Sequence, residues 1–151
     1  MVPPQPFVLR YVPTSRLHDV IPPMEQLLVL GEIYCIINSQ TGERYVGQTS
    51  CAKMRNGNIV YAGYLERFEQ HLQSAFSTNA ETRIKCPKLY EAIRFYGRHS
   101  FFVVLLERCP LGDMNTREIA YIRRFKCRRR GYNVTKGGQF SKYGKNRRKR
   151  G

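Results

Sequence analysis

The sequence predicts a single α/β domain of the α+β type, built in the order strand, strand, helix, helix, strand, helix. Three observations carry this reading. Two β-forming runs flank a stretch of turn residues, two later stretches place apolar residues at helical spacing, and a short uniformly apolar run precedes a last amphipathic helix. The first run, residues 32–37 (EIYCII), is β-branched and aromatic. Residues 38–42 (NSQTG) are turn chemistry and 44–48 return as a second strand, so the pair reads as a hairpin. A four-residue loop makes Asn38 face Glu43 and Tyr34 face Gly47, which puts Tyr45 on the face of Tyr34; a three- or five-residue loop puts the two tyrosines on opposite faces.

Leu65, Phe68, Leu72, Ala75 and Phe76 predict a helix over 64–77. Pro87 suits a first helical position, Leu89, Ile93 and Tyr96 form a stripe, and Gly97 is a natural stop. Residues 101–106 (FFVVLL) read as a buried central strand. The last helix starts at Asp113 or Asn115 as cap and runs to about Lys126.

A length of 151 residues fits one domain, and 42% hydrophobic with 25% charged residues excludes disorder of the whole chain. Six of the eight prolines fall in the first 23 residues, which marks 1–28 as an extended arm before a folded domain at 29–140. Within that domain residues 51–63 read as an inserted loop, and 141–151 are a basic tail. No stretch approaches the roughly 20 apolar residues of a membrane span, and the N-terminus lacks the apolar core of a signal peptide, so a soluble intracellular protein without membrane contact is expected. Five scattered cysteines without a C-x-x-C pair argue against a disulfide framework or a zinc knuckle.

The net charge of +15 is concentrated at one end. From Arg123 onward there are 13 basic residues and no acidic one, whereas the first 122 residues carry only +2. One cluster holds Arg123, Arg124, Lys126, Arg128, Arg129 and Arg130; with Lys136 between them, a second holds Lys142, Lys145, Arg147, Arg148, Lys149 and Arg150. Such density releases condensed counterions from a polyanion, which makes nucleic acid the leading partner, DNA first with RNA open. The run at 145–150 (KNRRKR) reads as nuclear import if the host is eukaryotic.

Several residues exceed a purely structural role. Glu118, Tyr121, Ile122 and Phe125 fall at i, i+3, i+4 and i+7, so a carboxylate heads an apolar stripe and needs an arginine or a divalent metal as partner. Arg67 and His71, one turn apart, share a face and can meet one phosphate. Gly47, beside the hairpin tyrosines, leaves a gap where a phosphate backbone can approach.

In order, Gly31-Glu32-Ile33-Tyr34, Tyr45-Val46-Gly47-Gln48-Thr49, Arg67-Phe68-Glu69-Gln70-His71, Glu118 and 131–138 (GYNVTKGG) resemble the GIY-YIG nuclease family, over about Gly31 to Gly138. The resemblance implies a small three-stranded antiparallel sheet flanked by helices and a metal-dependent DNA endonuclease. It further implies that Glu118 is the metal ligand of one ion, Mg²⁺ or Mn²⁺, and that Arg67 clamps the scissile phosphate. Tyr45, Tyr34 or His71 would act on the water, and Asn133 would support the site by hydrogen bonding. Two departures stand out: one residue is inserted between Gly31 and Ile33, and the path from Tyr45 to Arg67 is long, which makes Arg55 a rival to Arg67. Specificity would fall to the arm, the insertion, the tail, a homodimer interface or a partner protein. A noncatalytic nucleic-acid-binding module and a structural nucleoprotein component are the competing readings.

Overall fold

The hairpin forms in the four-residue-loop register. A computed structural model describes residues 21–138; the arm up to residue 20 with His18, and the basic positions Lys142, Lys145, Arg147, Arg148, Lys149 and Arg150, lie outside the described residues. After a helical turn α1 (Met24–Leu27), strand β1 (Leu30–Asn38) pairs antiparallel with β2 (Arg44–Ser50), Tyr34 opposite Gly47 and Ile36 opposite Tyr45. The Asn38 N–H donates to the Glu43 carbonyl at 3.0 Å, and Gly42 turns the chain at φ +75°. Tyr34 and Tyr45 therefore share a face of the sheet.

The segment 51–63, read as a loop, holds a second hairpin, β3 (Ala52–Arg55) and β4 (Asn58–Tyr61). Its turn is Asn56-Gly57, both in the left-handed region, which is the backbone of a two-residue type I′ connection. Helix α2 (Tyr64–Ala75), a short turn α3 (Ala80–Arg83) and helix α4 (Pro87–Tyr96) follow. Pro87 opens α4 and Gly97, at φ +84°, closes it, as expected from their chemistry.

Strand β5 (Phe101–Pro110) departs from the expected central position. The sheet order is β2-β1-β5, so β5 is an edge strand with Phe102 exposed, and β1 is the strand covered on both faces. The apolar run reflects cover on both faces and not a central position: Val103 and Leu105 join one apolar cluster, Val104 and Leu106 the other. The β1–β5 register shifts between Ile33 and Tyr34, and consecutive Leu105 and Leu106 are both buried, each joining a different apolar cluster. Helix α5 (Met114–Arg124) and the turn α6 (Cys127–Arg130) complete the described fold.

The sheet is thus the middle of three layers. On one face Tyr34, Ile36 and Leu105 pack with Leu72 of α2 and Leu89 and Ile93 of α4. On the other, Ile33, Val46 and Leu106 pack with Met114 and Ile122 of α5 and Cys127. Gly31 admits the Met114 side chain against β1, where a Cβ would overlap it. No described helix is long and apolar enough to cross a membrane.

A buried ion pair ties the second hairpin to the sheet. Glu32, fully buried, accepts from Arg108 Nε at 2.7 Å, from the Tyr61 hydroxyl at 2.7 Å and from the Tyr64 N–H at 2.9 Å. Gly63 offers no side-chain cap to α2, so the carboxylate from β1 takes the place of a cap at the positive end of that helix.

Candidate active site

A cavity of about 250 Å³ wraps the free edge of β2 between the two helical layers, lined by Tyr34, Tyr45, Gln48, Arg67, Lys85, Glu118 and the 132–137 segment among others. Its two sides come from opposite faces of the sheet. Tyr34 reaches it because Gly47, its cross-strand neighbour, carries no side chain: a Cβ there would stand 2.5 Å from the Tyr34 Cζ. The gap expected over Gly47 is therefore filled by the Tyr34 ring. Gly47 contributes room for a side chain from the central strand to extend toward the sheet edge.

Behind Tyr34 stands His71. Its Nε2 lies 2.8 Å from the Tyr34 hydroxyl and its Nδ1 3.0 Å from the Tyr90 hydroxyl, and the ring is fully buried. Burial, and then the nearby Arg67 charge, push its pKa down to about 3, so the imidazole is neutral near pH 7. A neutral ring donates through one nitrogen and accepts through the other, which orients both tyrosines. Burial likewise pushes the Tyr34 phenol up, and the Arg67 guanidinium beside it opposes that rise. Tyr45 is raised by burial and then by Tyr34; its hydroxyl lies 3.6 Å from Cys86 Sγ.

Arg67 lies on α2 one turn before His71 and its guanidinium faces the cavity, with Nη1 donating to Gln70 Oε1 at 3.0 Å. Its rival, Arg55, sits on the β3–β4 hairpin and pairs with Glu66 at 3.2 Å, more than half exposed and outside the cavity. The long path from Tyr45 to Arg67 is absorbed by that hairpin.

Glu118 enters from α5, 8% exposed. Its Oε2 accepts from the Gly138 N–H at 2.8 Å and from Gln48 Nε2. No arginine or lysine pairs with it among the described residues. Burial therefore pushes its carboxyl up, only partly offset by the Gly138 and Gln48 donors. Gln48 Nε2 is committed to Glu118 and to Asn115 Oδ1, at 3.0 Å for the latter, while Gln48 Oε1 is buried without a donor among the described residues. Glu118 and Gln48 thus bring to one cavity lining a carboxylate and an amide whose buried oxygen has no donor among the described residues, both hard oxygen ligands by type.

Asn133 closes the edge. Its Oδ1 accepts from the Val46 N–H and its Nδ2 donates to the Val46 carbonyl, both at 2.9 Å, so one side chain pairs with β2 as a neighbouring strand would. The Tyr132 N–H donates to the Arg44 carbonyl at 2.9 Å, and the Asn38 amide donates to the Tyr132 hydroxyl at 3.0 Å. Gly137, at φ +90°, runs against Glu118 and Ile122 where a side chain would not fit.

The structure brings Tyr34, Tyr45, Arg67, Glu118 and Asn133 to one cavity, with His71 immediately behind it. Arg123, Lys126, Arg128, Arg129 and Lys136 gather around an adjoining groove; Arg124 lies on the side of α5 toward Glu107, and Arg130 is exposed on α6. Gln48 and Lys85 were not singled out from the sequence. Gln48 sits on the opposite sheet face from Tyr45, so strand alternation hides its approach to the same space, and Lys85 lies in a turn without a pattern.

A solved structure of similar fold exists, the catalytic domain of intron endonuclease I-TevI, at a TM-score of 0.55 and 20% identity over 72% of this chain and 96% of that one. The likeness establishes the fold: the described domain has the GIY-YIG architecture, a three-stranded antiparallel sheet flanked by helices. No protein-family model and no curated protein sequence matches the chain.

Proposed function

We propose that the chain is a GIY-YIG-type endonuclease that hydrolyses phosphodiester bonds of DNA with one divalent cation, Mg²⁺ or Mn²⁺. One observation carries the proposal: a permanently charged arginine, two tyrosines and a buried carboxylate without a cationic partner line the same small cavity. A binding module has no use for a carboxylate beside its phosphate site. The known activity of the similar fold agrees with this reading.

The donor set fits a hard cation. Glu118 supplies the one strong ligand, and Gln48, whose amide donates to it, carries a buried neutral oxygen without a donor among the described residues. Among the described residues no cluster of three or more His, Cys, Asp or Glu exists, which suits an ion completed by phosphate oxygen and water and not an all-protein cage. When bound, such an ion stabilises the negative charge that builds on the phosphoryl oxygens.

The chain's own residues supply the rest. Arg67 holds the scissile phosphate through its planar fork and remains charged throughout. Lys85, on the same wall, adds a second positive charge toward that phosphate. With Nδ1–H directed to Tyr90, His71 Nε2 accepts the Tyr34 O–H, which turns the phenol oxygen toward Arg67 and the cavity as an acceptor for the attacking water. The Arg67 guanidinium opposes the rise that burial gives the phenol, and Tyr34 acts in this scheme by holding and orienting the water through its oxygen. His71 in this scheme orients Tyr34. Tyr45, edge-on to His71 at 5.3 Å between centroids, is the alternative water-positioning phenol. Asn133 keeps the 132–138 segment closed over β2.

The test is cleavage of supercoiled plasmid by wild type and Glu118→Ala, each with Mg²⁺ and with EDTA. Nicking or linearisation that requires both the ion and Glu118 is the expected result. Plasmid retarded equally by both proteins and cut by neither would favour the noncatalytic module.

A further inference from the structure

Beside the cavity, and sharing Val134 with it as a common wall, lies a second groove of about 570 Å³ bounded by α5, α6 and the 134–136 segment. Its apolar surface comes from Ile119, Ile122 and Val134, the last 50% exposed. Its rim carries Arg123, Lys126, Arg128, Arg129 and Lys136. None of these five cations has a carboxylate within 4.0 Å among the described residues, and no acidic residue follows Glu118 in the sequence.

Five uncompensated charges around one groove repel each other and call for an anion. The chain beyond Gly138 is cationic and is the wrong occupant. The anion must also cover the aliphatic surface between the charges. A paired duplex turns its bases inward and offers mainly phosphates and sugars, which meet the rim and leave the floor in water. An unpaired nucleotide brings both parts, a base face for the isoleucines and valine and phosphates for the rim.

We infer that this groove seats an unpaired DNA nucleotide next to the scissile phosphate, so that the substrate carries a single-stranded arm, as in a fork or flap, at the point of cleavage. The inference rests on the endonuclease reading for its neighbouring cavity, which the groove adjoins through the shared Val134 wall.

The experiment is fluorescence anisotropy with the full chain in EDTA, so that no cleavage intervenes. The probes are a labelled DNA duplex and the same duplex carrying an unpaired arm. Wild type is expected to bind the armed probe about tenfold more tightly than the duplex. Val134→Ser, at an exposed position, should reduce the ratio of armed-probe to duplex affinity to about threefold or less by removing apolar surface from the groove. Arg128→Ala/Arg129→Ala should weaken binding to the armed probe and lower its salt slope by about 0.7 for each phosphate contact removed. Equal wild-type affinity for the two probes, an undiminished preference in Val134→Ser, or an unaltered salt slope in the double arginine variant would each overturn the inference. Cleavage of both probes alike with Mg²⁺ would keep the nuclease and remove the groove's role. The binding preference without any cleavage would keep the groove and remove the nuclease.

Discussion

Glu32 and Glu118 are both buried glutamates, yet their surroundings differ in kind. Glu32, on the central strand, is closed by an arginine, a tyrosine hydroxyl and a helix N–H, so both oxygens are satisfied and its charge is balanced inside the protein. Glu118 is held only by neutral donors, one amide side chain and one glycine N–H, and stands beside an oxygen that has no donor among the described residues. A carboxylate that serves the fold is finished by the fold. Glu118 is oriented by hydrogen bonds but left short of positive charge, so burial raises its pKa, which is the imbalance that the proposed cation would relieve.

The comparison breaks most sharply by isosteric substitution. Glu118→Gln should lower cleavage by about 10³-fold or more while thermal unfolding stays near wild type, because it removes a ligand and no counter-charge. Glu32→Gln should do the reverse, costing about 3 kcal/mol of stability in denaturant unfolding by taking the counter-charge from Arg108. Equal loss of stability in both variants would erase the distinction.

The two arginines come next. Arg67→Ala should reduce cleavage by about 10²- to 10³-fold, the usual scale for one charge-stabilising donor. Arg55→Ala should remain within about twofold, since its partner is an exposed surface glutamate. An inactive Arg55→Ala with an active Arg67→Ala would reverse the assignment.

A third buried titratable group adds a pH signature. Because the folded-state pKa of His71 is depressed to about 3, the unfolded chain takes up a proton near 6.5 that the folded chain refuses. Its contribution to stability is present above about pH 6.5 and is lost as pH falls toward 3, at a slope approaching about 1.4 kcal/mol per pH unit for one proton. In denaturant midpoints measured from pH 7 to 4, wild type should fall more steeply than His71→Gln. Parallel curves would show that His71 titrates in the folded state and is free to act as an acid or base itself. The smallest effect belongs to the surface: Lys53→Ala, which removes an exposed pair with Glu66, should shift stability by less than about 0.5 kcal/mol.

Much of the molecule was legible before any coordinates. Pro87 and Gly97 bracket α4 where their backbone preferences require, and the tyrosines, Arg67, Glu118 and Asn133 were identifiable as residues. Residues 51–63 read as an inserted loop and form a hairpin instead; the missed signal is Asn56-Gly57, whose backbone preference suits a two-residue turn between short strands. The apolar run at 101–106 reads as central because both faces of β5 are covered, and sequence does not separate an edge strand covered on both faces from a strand with neighbours on both sides. Gly47 was assigned a gap that a neighbouring side chain fills, since which side chain leans over a glycine depends on cross-strand register.

Local chemistry, then, is enough for the main elements other than the β3–β4 hairpin, the charge imbalance and the residue types available for catalysis, because turn preference, periodicity and net charge act over a few residues. Which of those residues meet was settled by pairing across long stretches of chain. A four-residue turn put Tyr45 beside Tyr34, a hairpin carried Arg55 away and left Arg67, and Asn133 joined β2 from 87 positions further along. Those outcomes depend on strand register and on layers closing over one another, which local preferences along the chain do not set.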